Sequence, residues 1–195
     1  SVLLWSFATA GQQAPELFDA LADAALPQLD SFTDQGLSML LSSVAKTGHT
    51  SRRVSLLLDA LAEASEQRLE GFEPQAVANT AFSLAKARHH NAAFMDALAA
   101  SAAARISEYA PQEVAMLAHA FAELAHGSDR LFDAVAREVA RRGEGAFLHP
   151  ACRSMLVRAF ERIGRPLPEG VKLTLPEPTP KKSERWQQPY VPEFE

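Results

Sequence analysis

Residues 71–90 read GFEPQAVANTAFSLAKARHH, and residues 108–127 read EYAPQEVAMLAHAFAELAHG. At an offset of 37, Phe72 falls over Tyr109, Pro74 over Pro111, Gln75 over Gln112, Val77 over Val114, Ala78 over Ala115, Leu84 over Phe121 and Ala85 over Ala122. Stepping back 40 residues from Gln75 gives FTDQGLSMLLSSVAKTGH, where Phe32, Gln35, Leu37, Val44, Ala45 and Lys46 hold the same register and only the proline is missing. LWSFATAG before these copies and FLHPACRSMLVRAFERIG after them are partial or degenerate copies. Self-similarity at 37–40 residues marks an array of stacked supersecondary units, none of which can bury its apolar face alone.

The unit is a pair of antiparallel helices. Val114, Leu117, Phe121 and Leu124 follow the spacing of one helical face, as do Val77, Ala81 and Leu84. Partner helices lie between them, with stripes Leu17, Leu21, Ala25, Leu29; Val54, Leu57, Leu58, Leu61; Phe94, Leu98, Ala102, Ile106; and Phe132, Val135, Val139. Gly48 and Gly127 read as stop signals, and Asn91 and Ser128 as N-caps. If Pro74 and Pro111 are the first helical residues, Phe72 and Tyr109 precede the cap while Val77 and Val114 sit at the fourth position, which is the hydrophobic staple. Phe32 and Leu37 repeat it behind a Thr33 cap. The Pro-Gln motif is thus a helix-entry device first; its glutamines remain free to bind a neighbouring backbone or a ligand.

The fold class is all-α, an α-solenoid with an extended Pro-rich C-terminal arm. A partial repeat covers residues 1–30, repeats follow at 31–70, 71–108 and 109–146, a degenerate repeat spans 147–165, and the arm is 166–195. Seven prolines after Gly164 forbid a continuous helix there.

Hydrophobic residues make up 47% of the chain and much of that is alanine, so the core is built from small side chains on helices. The single Cys152 cannot form an intrachain disulfide and stands in no metal-ligand spacing, which fits a reducing compartment. No apolar run approaches the ~20 residues of a membrane span. Ser1 follows no Met, so a targeting segment is expected to be absent from this chain. Net charge is −5, yet residues 130–165 hold eight arginines against four acids, while residues 1–100 hold 6 Lys/Arg against 11 Asp/Glu. The whole-chain balance counts against nucleic acid, and the basic segment counts for it.

The motif F-x-P-Q-x-[VL]-A-N-x-x-[FW]-[SA]-L-A-K-x-[RG], matched best by FEPQAVANTAFSLAKAR, resembles the octotricopeptide repeat of organellar proteins. The Tyr109 copy keeps Pro111-Gln112 and replaces Asn79 with Met116. This resemblance implies a mitochondrial or chloroplast α-solenoid serving transcript maturation, stability, translation or ribosome structure. It carries over no base-reading residue.

Candidate binding residues therefore rest on charge and placement. Lys46, Arg52 and Arg53, with Lys86 and Arg88 in the next copy, are expected on one edge, as phosphate contacts or as cations complementing helix C-termini. Arg141 and Arg142, with Arg158, Arg162 and Arg165 at helical spacing along one face, form a stripe for RNA or an acidic partner, a solvated face being the alternative. Trp186, Tyr190, Val191 and Phe194 are aromatic and apolar anchors in the arm, expected to dock on a partner or back along the array. Catalytic residues, cofactors, metal ligands and a small-molecule substrate are not expected. The sequence favours a scaffold in a large organellar complex, a mitochondrial ribosome being one example, with an RNA-binding factor as the alternative.

Overall fold

A computed structural model describes residues 15–47, 51–168 and 170–173. Their regular structure is helical: α1 (Pro15–Ala25), α2 (Asp34–Thr47), α3 (Arg52–Glu66), α4 (Pro74–Ala87), α5 (Ala92–Ala104), α6 (Pro111–Glu123), α7 (Asp129–Arg142) and α8 (Pro150–Arg162). Short 3₁₀ segments, Leu26–Ser31, Leu69–Gly71, Ile106–Glu108 and Glu144–Phe147, precede α2, α4, α6 and α8.

The helices pack in two layers. α2, α4, α6 and α8 each stack on the next, α1, α3, α5 and α7 follow in parallel, and α2–α3, α4–α5 and α6–α7 touch across the layers. One continuous core runs between them, from Phe18 and Leu37 through Leu61, Leu84, Leu98 and Phe121 to Phe160. Alanines pack against it throughout: Ala78, Ala81, Ala115, Ala118 and Ala120 are fully buried, which lets neighbouring backbones approach closely.

The Pro-Gln motif starts helices as its chemistry requires. Glu73 and Ala110 are the extended caps of α4 and α6, with Pro74 and Pro111 first in the helix. Phe72 and Tyr109 are 2% and 1% exposed, and Val77 and Val114 lie beneath them with no exposure. The aromatic is fixed by the 3₁₀ turn before it: the amides of Phe32, Phe72 and Tyr109 donate to the carbonyls of Leu29, Leu69 and Ile106 at 3.1, 3.2 and 3.3 Å. Thr33 caps α2 through the Gly36 amide at 3.1 Å, and Glu113 reaches back to the Ala110 amide at 2.7 Å. In the degenerate copy two residues, rather than one, stand between aromatic and proline. There Phe147 keeps the buried place while Leu148, in the staple position, is 60% exposed.

The other caps follow the same logic. Ser51, Asn91 and Ser128 accept from the amides of Val54, Phe94 and Leu131. The stop signals differ from the sequence reading. Gly127 lies beyond the turn; the left-handed residues that end α4, α6 and α8 are Arg88 (φ 52°), Ala125 (φ 52°) and Gly164 (φ 69°). The next residue of each turn, His89, His126 and Arg165, donates its amide to the carbonyl of Leu84, Phe121 and Phe160 at 3.0 Å, the six-to-one bond of a Schellman motif. One of these three left-handed residues is a glycine, so glycine alone marks one of the three stops. Gly48 lies outside the described residues.

The α1 stripe shifts by one residue at its first two positions, while Ala25 and Leu29 are buried as expected. Phe18, Ala22 and Ala25 are its buried face, with Leu17 and Leu21 only partly covered. Apolar residues crowd both positions, so period alone does not fix the rotation of this helix. Of the arm, Leu167, Val171 and Leu173 pack back against the core, and Leu173 is 6% exposed.

Candidate functional site

Two edges and one face carry the chemistry. On the first edge, the Schellman turns present His89, His126 and Arg165 to aspartates one helix pair earlier. His89 Nε2 lies 2.9 Å from Asp59 and His126 Nε2 3.0 Å from Asp96, and Arg165 bonds Asp133. Asn91 adds a bond to Asp59 at 3.3 Å. His90 Nε2 meets His126 Nδ1 at 3.0 Å. With His126 neutral and protonated on Nε2, it donates to Asp96 and accepts from His90. Arg53 pairs with Asp23 at 3.2 Å and Asp19 at 3.6 Å.

On the opposite edge, arginines at a spacing of 37 close the end of each outer helix onto the start of its own pair or the turn that leads into it. Arg68 bonds Asp34 at 2.7 Å. Arg105 donates to the carbonyls of Phe72 at 3.1 Å and Leu69 at 3.3 Å. Arg142 donates to that of Ser107 at 3.0 Å. Gly71 leaves room for this pair: a Cβ there would come within 2.5 Å of the Asp34 carboxylate and push it aside. Glu138, 4% exposed, is held by Arg141 and by Arg142. Hydrogen bonds from Arg141 come first among the causes that draw its carboxyl down to about 2.

The ten cations named from the sequence thus do not share one surface. Arg52, Arg53, Lys86 and Arg88 are exposed on the first edge, and Arg141 and Arg142 lie on the second. Arg142 is largely covered and occupied by Glu138 and Ser107. The stripe on α8 is split: Arg158 and Arg162 are exposed on the helix, whereas Gly164 turns the chain so that Arg165 reaches α7 instead. Arg162 pairs with Glu123 at 2.7 Å. Lys46 belongs to α2, but its side chain, like Trp186, Tyr190, Val191 and Phe194, is outside the described residues.

The outward face of the stacked α2–α4–α6–α8 layer brings together residues that the sequence presents only separately. At the second position of these helices stand Gln35, Gln75, Gln112 and Ala151, all exposed; at the sixth, Met39, Asn79, Met116 and Met155; and at the ninth of the last three, Phe82, His119 and Arg158. The thirteenth adds Lys86, Glu123 and Arg162. Steps of four, three and four residues keep these rows on one helical face. Between α2 and α4 they border an open groove of about 600 Å³, lined by Gln35, Met39, Gln75, Asn79 and Phe82 together with Asp34 and Glu73. The Phe82 and His119 rings meet at 5.8 Å and 37°. Burial pushes the His119 imidazole below its ordinary value, with Arg162 and Arg158 acting in the same direction and Glu123 against them. Gln recurs at three of the four second positions and Met at three of the four sixth positions, and residues repeated outside the buried core are the signal that could have found this face.

Fold and site together define an all-α protein built from a repeated helix pair, tied edge to edge and carrying one polar, partly aromatic face. The chain belongs to the family of the RNA-editing substrate-binding complex 6 protein, whose model matches residues 1–124 and so ends at the close of α6. No curated protein matches the sequence. Among the described residues no helix is long and apolar enough to cross a membrane.

Proposed function

We propose that this chain is a non-catalytic scaffold subunit of a mitochondrial RNA-editing assembly, an α-solenoid that holds protein partners and RNA together. The family match over residues 1–124 is the observation that carries this reading, because the family description names an RNA-editing substrate-binding complex. That description favours an RNA-editing assembly over the ribosome suggested by the octotricopeptide-like motif; the motif itself supports an organellar helical-repeat protein. The geometry agrees with a scaffold. His89, His126 and Arg165 tie successive helix pairs together, and quasi-one-dimensional arrays of this kind present long surfaces to partners.

Purification of the chain from its native source tests the proposal. Stable, stoichiometric protein partners and co-purifying RNA are the expected result. A free monomer with neither would refute it.

A further inference from the structure

We propose that the outward face of α4, α6 and α8, together with the groove between α2 and α4, is a binding track for single-stranded RNA. The inference rests on the RNA association proposed above and assigns it to particular side chains. The ninth-position row supplies three flat groups, Phe82, His119 and Arg158, each able to stack on any base. Phe82 and His119 are half-buried, which holds their rings in place, and their 5.8 Å contact makes one continuous platform across two helices. The sixth and second positions place the amides of Asn79, Gln75 and Gln112 beside it, and amides can donate to and accept from base edges.

Charge sets the direction of the strand. Lys86 and Arg162 border the face on the side of the helix C-termini, where phosphates would lie. Glu123 interrupts that border but is paired with Arg162 at 2.7 Å. Asp34, Glu73 and Glu113 border the other side, repelling phosphate and leaving acceptors for exocyclic amines of bases. The spacing selects single strands. The Phe82 and His119 ring centres are 5.8 Å apart, whereas stacked bases are ~3.4 Å apart, so successive rings fit bases that have been pulled out of a stack.

The test uses the full chain with fluorescent oligouridine and oligoadenine and a duplex of equal length at low salt. Phe82→Leu, His119→Ala and Asn79→Ala should each weaken single-strand binding, by about tenfold for the two ring variants. Phe82→Trp should retain binding, and Leu56→Ser on the exposed outer layer should leave it unchanged. Thermal melts of each variant separate lost binding from lost folding. Unchanged affinity in folded Phe82→Leu and Asn79→Ala, with RNA still bound, would overturn the track while leaving RNA association standing. Equal affinity for duplex would overturn it as well, as would loss of a protein partner in Phe82→Leu with RNA binding intact. Failure of the unaltered chain to bind any RNA at low salt would remove the RNA reading itself.

Discussion

Tyr109→Phe should make the protein more stable, and increasingly so as pH rises. Tyr109 occupies the staple position before α6, is 1% exposed, and its hydroxyl has no hydrogen-bond partner among the described residues. The equivalent residue one unit earlier is Phe72, equally buried, so the site accepts a ring without oxygen. Removing an unsatisfied buried hydroxyl should gain about 1 kcal/mol at neutral pH. The phenol is pushed up from 10.0 to about 12, chiefly by burial and further by Glu108 and Glu113, with Arg105 opposing. Above pH 10 the unfolded chain ionises while the folded one stays protonated, so folding stability falls as pH climbs from 10 towards 12. A tenfold change in acidity is worth about 1.4 kcal/mol, so the loss attributable to this one group reaches about 2 kcal/mol by pH 12. Urea melts of both proteins from pH 8 to 12 measure the difference. The variant's advantage should be nearly flat to about pH 9.5 and then widen. A gap that stays constant through pH 12 would refute the burial argument, and a variant less stable at pH 8 would show that the hydroxyl is bonded.

Glu138→Gln should lose about 3 kcal/mol at neutral pH. Glu138 titrates near 2 when folded against 4.5 in its ordinary state, so its contribution is full above 4.5 and disappears as pH falls through 2; acid unfolding curves of the variant should be flatter over that interval. Ala125→Gly should gain ~0.5–1 kcal/mol, since Ala125 is exposed at φ 52° where a Cβ is strained; chemical denaturation should show a higher midpoint. Arg105→Lys should cost about 1–2 kcal/mol, because a lysine cannot span the Leu69 and Phe72 carbonyls with one planar group; thermal melting reads it, and an unchanged midpoint would refute the tie.

The sequence revealed the parts whose cause is local. Pro74 and Pro111 announce helix starts because proline presets φ and lacks only an amide hydrogen that the first turn does not use. Asn91 and Ser128 announce caps for the same kind of reason. It concealed the parts whose cause is another unit. His126 reads as one of several loop histidines until Asp96, thirty residues earlier, is seen 3.0 Å away. Arg142 reads as a free cation until Ser107 and Glu138 claim it. Ala125 gave no warning at all, since its left-handed turn is selected by the carbonyl of Phe121 and the amide of His126 rather than by the residue itself. The polar face lay in view within the aligned copies, where its glutamines repeat, but its ninth position changes from Phe82 to His119 to Arg158 and shows no common pattern.

The histidine ties reach back one helix pair, and the arginine ties of the opposite edge reach no further than the turn that opens their own pair. Such a chain of neighbour-only links has no keystone. Heat or force should open it from an end, pair by pair, with the intact remainder keeping its shape. An assembly could therefore grip one end of the array while the other loosens, and a whole unit cut out at matching points 37 residues apart would leave every surviving tie with a partner of the right kind.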